Sequence, residues 1–314
     1  MKSETKNENE NETKMIVVIG SSNTDMVMRV REFPRPGETI LGESYMQNQG
    51  GKGANQAVAC ARLGGNTSFV GKLGQDALAT ATIAHLRQEG IDVSHLTQTP
   101  TSPSGTAFIM VDSHGENSII VHPGANAELK PTDIDAAQGL IANASLVLMQ
   151  LETPIPTLVH AARMARQHGA TVVLNPAPAP AEGLPAELFQ HVDVLIPNET
   201  EVERLTGKTV EDEASLLAAL QELHGLGVRQ VVVTLGARGA MTIQDGQPLM
   251  VASPRVEAVD TTAAGDTFCG ALCVELSKGA SLDEAMQFAC RAAALTVTRM
   301  GAQQSIPKRE EVSI

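Results

Sequence analysis

One segment of the sequence combines a carboxylate with the kind of turn that binds phosphate. Residues 260–268 read DTTAAGDTF, so small residues stand directly before an apolar stretch that is typical of a helix. The first N–H groups of a helix lack acceptors and the helix dipole adds positive potential, so this turn could hold a phosphoryl group in transfer. Asp266 would lie in the first helical turn, where its carboxylate could take a proton from an attacking hydroxyl group. Because Asp is also a common helix N-cap, a purely structural role is the alternative.

A glycine-rich segment earlier in the chain could bind a small polar ligand. Residues 49–57 read QGGKGANQA and lead into a helical pattern over residues 54–63. Glycines let a ligand approach the backbone, and Asn55 offers the donor and the acceptor that a sugar hydroxyl needs. Lys52 is followed by glycine rather than by Ser or Thr, which excludes a P-loop. A tight turn between a strand and a helix is the alternative interpretation.

Further polar side chains follow other predicted strands. Asn23 and Asp25 come after the first apolar run, where a carboxylate could accept hydrogen bonds from two neighbouring sugar hydroxyls. Glu152 follows a second run and could bond to another hydroxyl. Asn198 and Glu201 open a predicted helix and could hold Mg²⁺ against the phosphates of ATP. Ordinary turns and helix starts also favour these residue types.

One more strand-end turn, residues 234–239, reads TLGARG. Its two glycines suit a nucleotide that passes close to the backbone. Ligands in open α/β sheets bind beyond the carboxyl ends of the strands. Because every segment described so far follows a strand or opens a helix, we expect them to meet in one crevice.

A parallel sheet is needed to bring these turns together, and the sequence predicts one. Short apolar runs, which predict buried strands, occur at residues 15–20, 146–150, 171–174, 192–196 and 230–234. Helical patterns occur at residues 76–89, 154–168, 214–224, 266–277 and 282–299. This alternation predicts βαβ units and a sheet that helices cover on both faces.

Two segments break the alternation and predict a small second sheet. Residues 25–48 and 104–122 each alternate in hydrophobicity around a turn, as antiparallel hairpins do. A small sheet over the strand ends would be a lid that excludes water during group transfer. We therefore predict one domain over residues 15–314, with lid segments at about 25–48 and 104–122. Residues 1–14 are polar and predict a disordered tail.

Composition narrows the class of protein. The 314 residues include 42% hydrophobic and 19% charged side chains, which is ordinary for a globular protein. The net charge of −13, without any Lys/Arg cluster, argues against a nucleic-acid partner. No apolar run reaches the roughly 20 residues that span a bilayer, and no signal peptide is evident, so we expect a cytoplasmic protein without a membrane partner.

The four cysteines are Cys60, Cys269, Cys273 and Cys290. Cys269 and Cys273 could share a helix face and so join a metal site, but no His stands at zinc-finger spacing. We interpret all four as small core residues of a reducing compartment.

The two glycine-containing signatures, residues 50–57 and 260–268, resemble those of the ribokinase-like (PfkB) family of carbohydrate kinases in type, order and separation. The resemblance extends from about residue 15 to about residue 307. It implies an α/β fold, a three-layer α/β/α domain with a mostly parallel central sheet and a small β-sheet lid. It also implies ATP, Mg²⁺, an activating K⁺ and a homodimer formed through the lid.

The activity that the resemblance implies is ATP-dependent phosphorylation of D-ribose at its 5-hydroxyl. Phosphorylation of another sugar (2-deoxyribose, fructose or a nucleoside) is an alternative, although the 2% of aromatic residues disfavours a nucleoside. A non-catalytic sugar-binding protein is a further alternative. A dinucleotide dehydrogenase is excluded because residues 20–25 read GSSNTD rather than G-x-G-x-x-G.

The resemblance also implies roles for residues at matching positions. Sugar contacts fall on Asn23, Asp25, Gly51, Lys52, Gly53, Asn55, Glu152 and Asp266, with Asp266 as the general base. Nucleotide contacts fall on Asn198, Thr234, Leu235, Gly236, Ala237, Arg238, Gly239, Ala264, Gly265 and Cys290. Metal contacts fall on Glu201 for Mg²⁺ and, mostly through backbone oxygens, on Asp260, Thr262, Thr296, Arg299, Gly301 and Ser305 for K⁺.

Two positions depart from the family pattern. Cys290 stands where Asn or His is usual beside the adenine, and Ala263 stands where much of the family has glycine. The first weakens the expectation of a side-chain hydrogen bond to the base. The second adds a methyl group to the turn before Asp266.

Overall fold

The computed structural model describes residues 14–312. The tail predicted over residues 1–14 lies, apart from Lys14, outside the described residues. The strands are β1 (Met15–Ile19), β2 (Asn23–Arg29), β3 (Ser44–Gly50), β4 (Asn66–Gly74), β5 (Leu96–Thr99), β6 (Gly105–Val111), β7 (Asn117–His122), β8 (Leu146–Met149), β9 (Thr171–Leu174), β10 (Val194–Leu195), β11 (Gln230–Thr234), β12 (Ala240–Gln244) and β13 (Gln247–Val251). The helices are α1 (Lys52–Arg62), α2 (Ala77–Gln88), α3 (Pro131–Ala136), α4 (Gln138–Ala142), α5 (Ile155–Gln167), α6 (Ala186–His191), α7 (Glu199–Thr206), α8 (Glu213–Gly225), α9 (Ala264–Ser277) and α10 (Leu282–Thr296).

A nine-stranded sheet forms the centre, in the order β13-β12-β11-β10-β9-β8-β1-β4-β5. Every pairing from β11 to β5 is parallel, and β12 and β13 add an antiparallel hairpin at one edge. Parallel strands align their carboxyl ends along one edge of the sheet. The turns that carry the candidate site residues therefore lie along a common edge.

Alternate side chains of β1 pack on opposite faces of the sheet. Ile16 and Val18 join a core with residues of α1, α9 and α10, whereas Val17 and Ile19 join a second core with residues of α5 and α8. This is the period of two that a strand buried on both faces requires. The predicted three-layer α/β/α fold is confirmed.

A separate four-stranded sheet has the order β3-β2-β6-β7. Its outer pairs are antiparallel and the central pair, β2 with β6, is parallel. The small second sheet predicted from the two alternating segments is thus present. Its strand β3 leads through Gly51 directly into α1, so the glycine-rich segment joins the small sheet to the large domain.

Several elements differ from the prediction. The strand predicted at residues 192–196 is limited to Val194–Leu195, and the helix predicted at 54–63 begins earlier, at Lys52. Strand β4 escaped prediction because glycines and Lys72 interrupt its apolar run. Lys72 is accommodated because its Nζ lies 2.7 Å from the carboxylate of Asp133. None of the described helices is long and apolar enough to cross a membrane.

Candidate active site

Asp266 lies in the first turn of α9 but does not cap the helix. Its Oδ2 accepts a hydrogen bond from Nδ2 of Asn55 (2.9 Å), and its Oδ1 accepts one from Nε2 of Gln56 (3.0 Å). The N-cap residue is Ala263, and no side chain caps this helix. The capping alternative for Asp266 is therefore wrong, because the carboxylate is held by side chains of α1 rather than by its own backbone.

The turn before Asp266 presents free backbone donors. The N–H of Ala264 donates to the carbonyl of Thr261 at 3.3 Å, whereas the N–H groups of Gly265 and Asp266 have no backbone acceptor within residues 14–312. These two donors, rather than that of Ala264, are available to an anion. Ala263 has φ of 60°, a left-handed conformation that costs a residue with a Cβ about 1–2 kcal/mol. A glycine would adopt this conformation without that cost.

The glycine-rich segment is shaped by its contact with the connection between β1 and β2. Gly51 has φ of 86°, and a Cβ there would lie 2.6 Å from the backbone N of Asn23. A Cβ on Gly53 would lie 2.6 Å from the backbone N of Ser21. The tight-turn interpretation therefore holds for both glycines. The same turn starts α1 and sets Asn55 against Asp266.

Glu152 is held beside this turn. Its Oε2 accepts hydrogen bonds from the hydroxyl of Ser21 (2.5 Å) and from the backbone N–H of Lys52 (3.1 Å). On the other side of the turn, Oδ1 of Asn23 accepts a hydrogen bond from Nδ2 of Asn126 (2.8 Å). Two polar side chains predicted for the sugar, those of Asn23 and Glu152, are therefore held near the start of α1.

Asp25 is a third carboxylate in the same region. Its side chain lies over Gly50, where a Cβ would come within 2.2 Å of Oδ2. Burial, reinforced by the charges of Glu152 and Asp266, raises the pKa of Asp25 to about 7. Such a carboxyl group gains from a ligand that donates hydrogen bonds to its ionised form.

Lys52 is the cation that faces these carboxylates. Burial alone would lower the pKa of Lys52, but the charges of Asp266, Glu152 and Glu201 outweigh burial and raise it. Its ammonium group therefore stays protonated. Burial raises the pKa of Glu201, and the N–H of Asn198 and the charge of Lys52 partly offset that shift.

Two adjoining cavities meet at the start of α9. The smaller one, of about 230 Å³, is polar and is lined by Lys52, Asn175, Asn198, Glu201 and Asp266 among others. The larger one, of about 480 Å³, is mainly apolar, and its lining includes Val256, Phe268, Cys290, Ala293 and Val297. Thr234, Thr261 and Gly265 line both. A long ligand with an apolar and a charged end would fit across them.

The residues predicted for the nucleotide are only partly brought together. Gly236, Ala237, Gly239 and Ala264 line the larger cavity along with Cys290. Two others lie elsewhere: Leu235 is buried in the hydrophobic core, and the guanidinium of Arg238 pairs with Glu199 on the surface. Cys290 contributes a thiol whose pKa burial raises to about 11, so it stays neutral.

Asn198 and Glu201 form a reciprocal capping box at the start of α7. Oδ1 of Asn198 accepts from the N–H of Glu201 (2.8 Å), and Oε2 of Glu201 accepts from the N–H of Asn198 (2.9 Å). No cluster of three His, Cys, Asp or Glu side chains that could hold a metal occurs among residues 14–312. The polar cavity, whose lining includes the carboxylates of Glu201 and Asp266, nevertheless fits Mg²⁺, which usually binds through one or two carboxylates plus substrate phosphates.

Three of the residues predicted for K⁺ contact one another. Oδ1 of Asp260 accepts hydrogen bonds from the N–H (2.9 Å) and hydroxyl (2.6 Å) of Thr262, and its Oδ2 accepts one from the N–H of Gly301 (2.9 Å). The segments 260–262 and 296–305 are joined by these bonds. Their oxygen donors are of the type that hard cations prefer.

The other three predicted K⁺ residues have their side chains engaged within the protein. Thr296 bonds to the hydroxyl of Thr267, Arg299 pairs with Glu311, and the hydroxyl of Ser305 donates to a carbonyl of its own turn. Backbone carbonyl oxygens are therefore the donors that these residues can still offer.

Sequence reasoning missed several side chains of the site. Gln56 donates to Asp266 and also to Asn175. Asn126 donates to Asn23, and Ser21 donates to Glu152. Gln56 could have been found, since it stands inside the glycine-rich signature. Asn126 and Asn175 carry no local signal, because their contacts are made far along the chain.

All four cysteines are buried and free. Burial raises the pKa of Cys60 to about 12 and raises that of Cys269 and Cys273. They are neutral core thiols, as predicted.

A carboxylate at a helix start lines a polar cavity that adjoins an apolar one, on a three-layer α/β/α fold with a small second sheet. This arrangement is typical of a kinase that phosphorylates small polar substrates. The chain belongs to the pfkB family of carbohydrate kinases, whose family model matches residues 13–309. It is similar to the ribokinase of Haemophilus influenzae, with 44% identity over 95% of this chain and 97% of that protein. It is also similar to the deoxyribokinase of Salmonella typhimurium, with 38% identity over 94% of this chain and 96% of that protein.

A solved structure is similar to this chain over nearly its whole length. The ribokinase of Arabidopsis thaliana complexed with ribose and ATP is 36% identical, covers 96% of this chain and 98% of its own, and gives a TM-score of 0.89. The protein is thus an ATP-dependent carbohydrate kinase by family and by fold.

Proposed function

We propose that the protein transfers the γ-phosphoryl group of ATP to the 5-hydroxyl of D-ribose, giving ribose 5-phosphate and ADP. The observation that carries the proposal is the Asp266 carboxylate, which Asn55 and Gln56 hold in the lining of the polar cavity. Relatives named ribokinase, similar over nearly the whole chain, support ribose as the sugar.

The sugar binds around the start of α1. Asp25, once ionised, accepts hydrogen bonds from two neighbouring hydroxyls, and Asn23, Asn55 and Glu152 bond to others. The backbone of residues 51–53 lets the sugar approach closely. Buried donors and acceptors of this kind discriminate strongly against substrates that leave them unpaired.

Asp266 is the general base. It accepts the proton of the 5-hydroxyl while the oxygen attacks the γ-phosphorus in line with the leaving ADP. The N–H groups of Gly265 and Asp266 stabilise charge on the phosphoryl oxygens, and the ammonium of Lys52 faces the same cavity. Losing one such donor typically costs about 100-fold or more in rate.

ATP spans the two cavities. Its adenine and ribose lie in the apolar one, and its phosphates reach the polar one near Asn198 and Gly265. Cys290 is a poor hydrogen-bond partner, so shape and apolar contact with Phe268 and Val256 hold the base.

Two cations would complete the site. Glu201 would hold Mg²⁺ near the phosphates, where the ion would supply positive charge for the leaving group. Oxygens of segments 260–262 and 296–305 would hold K⁺, which would supply positive potential near the turn that precedes Asp266. The six K⁺ residues are a proposal supported by the contacts of Asp260 with Thr262 and Gly301.

The segments of about 25–48 and 104–122 act as a lid, and residues 15–314 form one kinase domain. The proposed homodimer forms through the lid, which carries exposed apolar residues such as Phe108 and Ile120. Free thiols at all four cysteines are in keeping with a cytoplasmic enzyme.

The test is sugar-dependent release of ADP. Ribose, 2-deoxyribose, fructose and adenosine are compared, with and without K⁺, and the product is identified by phosphorus NMR. We expect ribose to give the highest kcat/KM, with 2-deoxyribose second because deoxyribokinase relatives are 38% identical. A higher kcat/KM for 2-deoxyribose would show that 2-deoxyribose, not ribose, is the preferred substrate. Absence of ADP release with every sugar would overturn the proposal.

A further inference from the structure

Gln56 is held in a single orientation beside Asp266. It is fully buried, with 0% of its surface exposed. Its Nε2 donates to Oδ1 of Asp266 and to Oδ1 of Asn175, each at 3.0 Å, and its Oε1 accepts from Nε2 of Gln150 at 2.6 Å. Both amide protons and the amide oxygen are therefore engaged.

The partners of Gln56 are anchored to the ends of two central strands. Gln150 directly follows β8, and Asn175 directly follows β9. The backbone N–H of Asn175 donates to the carbonyl of Met149 (2.9 Å), and its Nδ2 donates to the carbonyl of Ile196 (2.8 Å). These bonds fix Asn175 to the parallel sheet, so Asn175 presents a rigid acceptor to the amide of Gln56.

A reversed amide would be strongly disfavoured. Turning the amide of Gln56 over would set its oxygen against the carboxylate of Asp266 and against Oδ1 of Asn175. It would also set its NH₂ group against the NH₂ group of Gln150. The hydrogen bonds to Asp266 and Asn175 would become repulsive contacts inside a buried site.

We infer that Gln56 is a positioning residue that fixes the rotation of the Asp266 carboxylate, so that its free lone pairs face the polar cavity. The inference rests on the proposed role of Asp266 as the base. Asn55 holds Oδ2 and Gln56 holds Oδ1, which leaves each oxygen one further lone pair for the substrate. A neutral amide orients the carboxylate without the ion pair that Lys or Arg would form with it.

The first test is Gln56→Met, which keeps the length of the side chain but removes its donors. We expect kcat to fall by about 10- to 100-fold, because small displacements of a catalytic group have effects of this size. The KM values for ribose and ATP should stay within about twofold, because Gln56 contacts neither proposed substrate. An unchanged kcat in the folded variant would overturn the inference.

Thr157→Val is the matched control. Thr157 is also buried and donates one hydrogen bond, to the carbonyl of Leu129 at 2.8 Å, but it lies outside the site. It should lower the melting temperature without lowering kcat. A kcat loss equal to that of Gln56→Met would show that destabilisation alone explains the effect and would refute a positioning role.

Gln56→Glu gives a second readout, the pH dependence of kcat, which a purely structural role would not change. This variant can be measured even if Gln56→Met fails to fold. A neutral carboxyl group at this position can still donate one hydrogen bond to Asp266, whereas an ionised one cannot. The deficit in kcat relative to wild type should therefore grow as the pH rises. A deficit that is the same at every pH contradicts the inference.

A double-mutant cycle separates this inference from the proposed function. If Gln56 acts only through Asp266, adding Gln56→Met to Asp266→Asn should lower the residual kcat by less than about twofold. Full activity of the Asp266→Asn variant would refute the assignment of Asp266 as the base and, with it, the proposed mechanism. An inactive Asp266→Asn variant together with a fully active Gln56→Met variant would refute only the positioning role of Gln56.

Discussion

Three carboxylates, those of Asp25, Glu152 and Asp266, lie close enough to influence one another around Lys52. Ionising neighbouring carboxyl groups together costs free energy. Burial and the charges of the other two carboxylates raise the pKa of Asp25 to about 7. Glu152 is held by two donors, and Asp266 by two amides. The site therefore contains a carboxyl group, that of Asp25, whose pKa of about 7 lies close to neutrality.

Binding of ribose should depend on pH through Asp25. Below about pH 7 this carboxyl is protonated in the free enzyme, so kcat/KM for ribose should fall as the pH is lowered through that value. Asp25→Asn should raise the KM for ribose by about 10- to 100-fold, since hydrogen bonds to a charged group are lost, and should abolish the pH dependence. The KM for ATP should not change.

The same carboxyl should lower stability at high pH. The folded state keeps the proton of Asp25 up to about pH 7, whereas the unfolded state loses it near the ordinary pKa of 3.8. The free energy of unfolding therefore decreases as the pH rises between these values. Asp25→Asn should therefore raise the melting temperature at about pH 8, by a few degrees. Glu43→Gln, an exposed acid of the same small sheet region, is the control and should change neither property. A pH-independent kcat/KM in the wild type would contradict this account.

Individual site residues were predictable only where a local pattern marked them. Asp266 and Asn55 stand in glycine-containing signatures, and the structure brings them into direct contact across 211 positions of sequence. Gln56 stands in the same signature but was passed over, because an amide inside a helix looks like any polar residue. Asn175 was missed because only tertiary contacts distinguish it.

At the scale of elements, the proposed function depends most on the start of α9 and on the small sheet. The helix starts after Ala263, whose left-handed conformation turns the chain so that two N–H groups are left free. The predicted start at residue 266 was two residues late, since the small residues before it read equally well as turn or helix. The chemical interpretation of the segment did not depend on that boundary.

The small sheet has one face rich in exposed apolar residues. Phe108 pairs with Ile120, and Met28 pairs with Tyr45, in the strand register. By the period of two, these four side chains share the face opposite to that of Asp25, and each is at least 41% exposed. Such a patch is typical of a protein interface.

The proposed homodimer should depend on this face. Phe108→Glu combined with Ile120→Glu should convert a dimer into a monomer, because two charges would be buried in the interface. Sedimentation equilibrium gives the mass directly. Leu226→Glu, at another exposed apolar residue, should leave the dimer intact. A monomeric wild type, or a dimer that survives the double substitution, would refute the lid interface.

Elements were predictable where apolar runs were uninterrupted, as in β9 and β11, whose bounds agree with the prediction. Strand β4 was not, because Lys72 interrupts its apolar run, and the partner that accommodates the half-buried Lys72, Asp133, lies far along the chain. The turn of the β12–β13 hairpin is marked in the sequence by the dipeptide Asp245-Gly246. Asp245 and Gly246 both have positive φ, of 50° and 76°, as the tight turns favoured by Asp-Gly require.

At the scale of the whole molecule, parallel strands explain why distant segments form one site. The glycine-rich turn, the ends of β8 to β11 and the start of α9 converge because the carboxyl ends of the strands share an edge. The alternation of strands and helices predicted this convergence. It could not predict which side chains would touch, since that depends on packing over separations of more than 100 residues.

The most direct test of the account is Asp266→Asn, assayed for ribose-dependent ADP release and, separately, for binding of ribose and ATP by calorimetry. Asn keeps the shape of the side chain but cannot accept the proton of the 5-hydroxyl. We predict that kcat falls by about 1,000-fold or more while both dissociation constants stay within about threefold. A variant that binds both ligands and retains a tenth or more of the wild-type kcat, by this order-of-magnitude criterion, would show that Asp266 is not the base.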